Sequence, residues 1–346
     1  MEIAHSTKER YWKYILLFAL TFITCTMAGS QWGNKNYLEV TNWSYGITYA
    51  ILILTFLSFH EFGHYFASRY HKINTSLPYY IPFPVPIVLN FGTFGAIIRM
   101  RQPIPNRKAL FDIGIAGPIS GYIVSLIFLI IGIINLPSQN AIFAIHPEYI
   151  TQFHSTIPDT GLHFGDTLLY HFLLKLLVPT GKFIPPMNEI YHFPFLNVGW
   201  FGLFVTTMNL LPIGQFDGGH ILYAMFGSKI HYRIARITMW ILIILGAIGS
   251  INEVYMFLQD NYNSAIMQNI QAFLVPRIAI LYQHFPILQE FWSGWLLWGL
   301  IGKFVVKLKH PPALDDTPIS KNRMLLGWFA AFMLISSFSF NAIFFK

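Results

Sequence analysis

The sequence predicts an all-α polytopic membrane protein of about six to seven transmembrane helices, with a three-helix catalytic core and a short membrane-associated β-strand or loop segment. Three observations lead there. Of 346 residues, 54% are hydrophobic and only 11% are charged, against roughly 25% charged residues in a soluble domain. The apolar residues fall in runs long enough to cross a hydrocarbon core, which takes about 20 residues as a helix. The basic residues flank these runs instead of forming one patch, so the formal net charge of +7 reads as membrane orientation, with the lipid bilayer and no nucleic acid as partner. Several spans of that length leave little chain for a separate globular module.

The first run, about Tyr14 to Gly29, follows Lys8, Arg10 and Lys13 and reads either as a signal peptide or as an uncleaved anchor. Its length and the lack of a clear A-x-A site favour the anchor. It contains Cys25, the single cysteine, which excludes an internal disulfide and a thiolate metal site. The second run spans 47–70 and is followed by Lys72; the third spans 109–136, after Arg107 and Lys108; the fourth spans 195–213. A fifth is expected at about 237–258, a sixth at about 291–306 and a last at about 325–345. The stretch 263–289, interrupted by Pro276 and Pro286, reads either as an interfacial segment or as a re-entrant one. The organisation predicted is therefore an amino-terminal anchor and external loop (1–46), a catalytic core (47–227) and accessory transmembrane helices (228–346).

If every run spans, Lys8, Arg10, Lys13, Arg69, Lys72, Arg99, Arg101, Arg107, Lys108, Lys229, Arg233, Arg236, Lys303, Lys307 and Lys309 all fall on one side. The positive-inside rule then places the amino terminus and the segments 75–108 and 214–236 in the cytoplasm. A bacterial cytoplasmic membrane is the expected location, since no transit peptide is evident. The external stretch 137–194 carries His146, His154, His163, His171 and His192. Their spacing fits no compact ligand set, so a solvated loop or surface helix is expected.

The second run contains His60-Glu61-Phe62-Gly63-His64. On a helix, residues four apart share a face, so His60 and His64 can offer imidazole nitrogens to one tetrahedral Zn²⁺ while Glu61 stands beside the attacking water. Ionisable groups at bilayer depth cost roughly 2.5 to 3.5 kcal/mol each on insertion scales, so three within five residues point to function. A peptidase zinc needs a third protein ligand and an open position. Asp217 is the only acidic residue between Glu189 and Glu253. It lies in Asn209-Leu210-Leu211-Pro212-Ile213-Gly214-Gln215-Phe216-Asp217-Gly218-Gly219-His220, where Pro and Gly interrupt the helix; taken alone, it would read as an ordinary turn aspartate.

Taken together, HExxH in one span and N-x-x-P followed by Asp-Gly in a later one resemble the site-2 protease family of intramembrane zinc metalloproteases. The resemblance extends to Phe91-Gly92-Thr93-Phe94-Gly95-Ala96, to Ile97-Ile98-Arg99-Met100-Arg101 and to Ala116-Gly117-Pro118-Ile119-Ser120-Gly121, as in the bacterial and plastid-like branch, and covers 47–227. It implies His60, His64 and Asp217 as ligands of one Zn²⁺ per chain and Glu61 as general base. Asn209 matches the family asparagine near the active site, where its amide either hydrogen-bonds the substrate or oxyanion or serves only as an inter-helix bond. His220 is either outer support for the metal or a helix-start residue. Phe94, Ala96, Ile97 and Ile98 read as a short apolar strand after a stretch broken by Pro78, Pro82, Pro84 and Pro86. Such a strand is either a substrate-pairing edge or an interfacial loop without that role. Gly117, Pro118 and Gly121 permit either close helix packing or a gating kink.

The resemblance implies hydrolysis of single-span membrane protein substrates, such as membrane-tethered anti-sigma factors. The external stretch is too short for a PDZ domain and the segment after Lys309 is too short for a CBS domain, so regulation is expected from accessory helices, the external loop or a separate partner. Two other classes fit the sequence less well, since HExxH and the aspartate are intact and no internal repeat appears. A catalytically silent scaffold would show a damaged HExxH or a missing aspartate, and a transporter would show repeated halves with recurrent intramembrane acids.

Overall fold

The computed structural model of the chain describes residues 11–83, 90–260 and 262–346. Lys8 and Arg10 of the amino-terminal basic cluster, and Pro84 and Pro86, lie outside the described residues. The chain is mostly helical and divides into two compact units, one formed by Met1–Ile104, Ile115–Ile157 and Leu177–Leu203, the other by Pro105–Gly114, Pro158–Leu176 and Phe204–Lys346. It is an integral multi-pass membrane protein: five of the described helices are long and apolar enough to cross a membrane.

In the first unit, α1 (Tyr11–Trp32) and α2 (Ile47–Tyr70) pack against one another, joined through a 3₁₀ turn at Val40–Gly46. The buried residues of α1 include Thr21, Thr24, Cys25, Ala28 and Trp32, a three-to-four residue spacing that makes one face. Ile15, Phe18 and Ile23 are exposed, as suits lipid contact. Gly46 sets the approach at the top of the pair, since a Cβ there would lie 1.9 Å from the Thr26 carbonyl oxygen.

The apolar strand read from the sequence is present. β1 (Tyr79–Pro82) and β2 (Thr93–Ile97) pair antiparallel, Tyr80 opposite Ala96. The hairpin is tied to the helices by hydrogen bonds from Thr24 Oγ1 to the Gly92 carbonyl (2.6 Å), from Tyr49 Oη to the Phe91 carbonyl (3.2 Å) and between the hydroxyls of Ser58 and Tyr80 (2.6 Å). At Gly92 φ is +76° and a Cβ would fall 2.4 Å from the Cα of Cys25, so the position requires glycine twice over. Next comes α3 (Arg107–Ile134), which enters the unit at Ile115, then the short α4 (Gln139–Ile145) and α5 (Glu148–Thr151).

The second unit also contains β3 (Leu162–Phe164) and α6 (Leu168–Leu177). α7 (Pro194–Leu210) enters the unit at Phe204 and is followed by α8 (Asp217–Phe257), a 41-residue helix broken at Gly227, where φ is +77°. Next are α9 (Ala265–His284), α10 (Gly294–Phe304) and α11 (Lys321–Ser337). α10 packs against α8 through small residues: a Cβ on Gly246 would fall 1.8 Å from the Leu296 nitrogen and one on Gly299 2.7 Å from Ile243 Cγ1. Met208, Leu211, Ile213, Met239, Leu242 and Trp295 form the core beside this contact.

The carboxyl-terminal runs differ from the reading of their hydropathy. The sixth run folds as the 11-residue α10, and the last ends its helix at Ser337 and returns as β4 (Ile343–Phe345), paired antiparallel with β3. Ser336, Ser337, Ser339 and Asn341 are poor helix residues. Gly165, where a Cβ would lie 1.9 Å from the Asn341 carbonyl oxygen, admits the returning chain. The undecided stretch 263–289 contains α9, one of the five helices of spanning length.

Candidate metal centre

His60, Glu61 and His64 lie in the last three turns of α2 and are 3%, 8% and 7% exposed, although Phe59 and Phe66 on the other side of the helix are more than half exposed. The α-helical turn puts the two imidazoles one above the other, with 3.2 Å between their Nε2 atoms. Zinc bonds of about 2.05 Å at the tetrahedral angle hold two nitrogens about 3.3 Å apart. The imidazole pair therefore already has the spacing that one zinc ion requires.

α3 supplies the seat for these rings. A Cβ on Gly117 would fall 2.1 Å from His64 Nε2 and 2.5 Å from both Cδ2 and Cε1 of that ring, and one on Gly121 would lie 3.1 Å from His60 Nδ1. Gly63 reciprocates from α2, since its Cβ would meet the Ala116 carbonyl oxygen at 2.5 Å. Ser120 fastens the crossing by donating its hydroxyl to the Ala116 carbonyl (2.6 Å) and to the Phe59 carbonyl (2.9 Å). The Ala116–Gly121 motif thus acts as close packing: its glycines remove side-chain bulk where the histidine rings lie.

In the second unit, Asn209 is half-buried in the last turn of α7 and Asp217 is half-buried in the first turn of α8, where the helix dipole favours a carboxylate. The turn between them is set by glycine. Gly214 has φ +53°, a Cβ on Gly218 would fall 1.9 Å from the Leu210 carbonyl oxygen, and one on Gly219 2.3 Å from that of Gly214. The N-x-x-P-x-G-x-x-D-G-G motif is therefore a compact reversal that starts α8 at the aspartate. His220 Nδ1 hydrogen-bonds His310 Nε2 at 2.6 Å. Among the described residues of the first unit, His146, Glu189 and His192 bring three side chains that could hold a metal ion within reach of one another.

Residues 48–248, more than half of the chain, match Peptidase family M50. The chain belongs to this family. Its relatives include "Probable zinc metalloprotease EGY2, chloroplastic" of Oryza sativa subsp. indica, 28% identical over 197 residues (57% of this chain, 32% of the relative). "Probable zinc metalloprotease EGY1, chloroplastic" of Oryza sativa subsp. japonica is 31% identical over 205 residues (59% and 31%). The protein of the same name from Arabidopsis thaliana is 28% identical over 177 residues (51% and 29%). The chain spans about a third of the length of these curated relatives. No solved structure matches it.

Family M50 membership agrees with the site-2 protease resemblance, and the matched residues contain HExxH, the Ala116–Gly121 motif and Asp217. The meeting of His146, Glu189 and His192 was not foreseen. His146 and His192 are 46 residues apart, too far for a spacing argument, and the local signal is the i, i+3 relation of Glu189 and His192.

Proposed function

We propose that the chain is an intramembrane zinc endopeptidase in which His60, His64 and Asp217 hold the catalytic Zn²⁺ and Glu61 is the general base. The observation that carries this reading is the buried His60–His64 pair, its Nε2 atoms 3.2 Å apart inside residues that match a peptidase family. When bound, the ion supplies Lewis acidity, which polarises a scissile carbonyl and acidifies water. Glu61 takes the proton of the attacking water and returns it to the leaving amine. The amide of Asn209 orients the substrate backbone or donates to the developing oxyanion.

A substrate helix hides its peptide bonds in its own hydrogen bonds, so it must be unwound before attack. β2 belongs to a two-stranded sheet and exposes Phe94 (70%) and Ile97 (55%). Its edge offers an unwound substrate main-chain partners by strand addition. The substrates proposed are single-span membrane proteins, such as anti-sigma factors, cut near the cytoplasmic face, with a separate protein partner regulating access. The flanking charges fit a bacterial cytoplasmic membrane with the amino terminus inside, and fit a plastid membrane of the same polarity equally well.

The test is cleavage of a panel of single-span reporters by the purified chain in liposomes, comparing wild type with Glu61→Gln and measuring bound zinc in both. Cleavage by wild type alone with equal zinc supports the assignment. Equal cleavage by both proteins would overturn the role of Glu61, and zinc bound without cleavage by either would favour a silent scaffold.

A further inference from the structure

We infer that His146, Glu189 and His192 form a second site for a divalent cation of the zinc type, structural in role and outside the HExxH centre. The three residues belong to the first unit. His146 follows α4, whereas Glu189 precedes and His192 ends a single 3₁₀ turn (Ile190–His192) just before α7. Their donor atoms converge: His146 Nε2 lies 2.9 Å from His192 Nε2, and Glu189 Oε2 lies 3.6 Å from His192 Nε2 and 3.9 Å from His146 Nε2. Donors on tetrahedral zinc stand about 3.3 Å apart, so the triangle brackets the required size.

Protonation decides what belongs inside it. His146 Nδ1 is 2.8 Å from Glu148 Oε1, and His192 Nδ1 bonds the backbone carbonyl of Trp32. Both partners are acceptors, so both Nδ1 atoms carry the hydrogen and both Nε2 atoms present lone pairs to one another. Lone pairs facing at 2.9 Å repel unless a cation lies between them. That cation is either a proton or a metal ion.

The surroundings favour the metal. The side chain of Glu189 is 1% exposed and Tyr149 donates its hydroxyl to Oε1 at 3.0 Å, leaving Oε2 turned towards the two imidazoles. Each of the three donors thus has an outer partner, a carboxylate, a backbone carbonyl and a tyrosine hydroxyl, which is the support that metal-bound histidines and carboxylates usually have. Two imidazoles and a carboxylate, without a thiolate, suit zinc among the abundant divalent ions. An ion held here ties the end of α4 to the entry of α7 and, through Trp32, to the end of α1.

The inference does not rest on the peptidase reading, and zinc binding tests it directly. The full chain is purified in detergent, loaded with zinc, freed of excess and assayed for metal. Wild type should hold about two ions per chain, His60→Ala/His64→Ala about one, and the same double variant with His146→Ala none. A fold that cannot survive His146→Ala is bypassed with Glu148→Gln. This change removes only the charge of an exposed outer partner, and in the His60→Ala/His64→Ala background it should weaken zinc about 10-fold or more in a chelator competition. Absence of zinc from the double variant, or zinc affinity unmoved by Glu148→Gln, would overturn the proposal in favour of a shared proton between the rings.

Discussion

Substituting Gly117 by Ala places a methyl group where the structure has His64. The new Cβ would stand 2.1 Å from Nε2 and 2.5 Å from two ring carbons, whereas ordinary contact begins at 3.4 Å. The imidazole must therefore withdraw by more than 1 Å, or α3 must retreat from α2 by as much. Overpacking of this kind costs about 1 to 3 kcal/mol. Misplacing a ligand by about 1 Å costs on the order of 100-fold in rate. Gly121→Ala is the internal control, because its nearest contacts, His60 Nδ1 and Phe56 Cε2, lie 3.1 Å away and need give only a few tenths of an ångström. Zinc affinity by chelator competition and reporter cleavage in liposomes should both fall steeply for Gly117→Ala and change little for Gly121→Ala. Gly117→Ala protein that binds catalytic zinc within about threefold of wild type would refute both the seat and the role assigned to His64.

Other expectations follow from the same geometry. Glu61→Gln should retain zinc and lose at least about 100-fold in cleavage rate, measured under single-turnover conditions. Arg323 grips Asp112 with two bonds of 2.7 and 2.8 Å, both side chains about a quarter exposed. Arg323→Ala should lower stability by about 2 kcal/mol in thermal unfolding, less than a fully buried pair would lose, and the loss should shrink when Asp112→Ala is added. Gly92→Ala should loosen the β1–β2 hairpin from α1 and reduce cleavage of transmembrane reporters more than it reduces zinc affinity. The carboxyl of Asp159 is held below its usual range by His163 and Lys346. A lowered folded-state pKa contributes stability above the unfolded value near pH 4 and loses it as the pH falls through the folded one. The protection factors of the β3 amides, corrected for the intrinsic slowing of exchange in acid, should therefore fall on strong acidification, and Asp159→Asn should remove that pH dependence.

The sequence by itself determined the membrane class, the HExxH helix, the β2 strand and the turn that starts α8 at Asp217. Each is written in local terms: runs of apolar residues, a four-residue histidine spacing, alternation after prolines, and glycines where a side chain cannot fit. The tertiary structure decided the rest. Hydropathy could not foresee that the last run would end its helix at Ser337 and return as β4, because that choice depends on a strand 180 residues earlier. Nor could spacing foresee the meeting of His146, Glu189 and His192, since residues far apart in the chain converge only when packing brings their donor atoms to one point. The glycines of α3 were legible as small, but which atoms they make room for, the imidazoles of His64 and His60, is a property of two helices in contact.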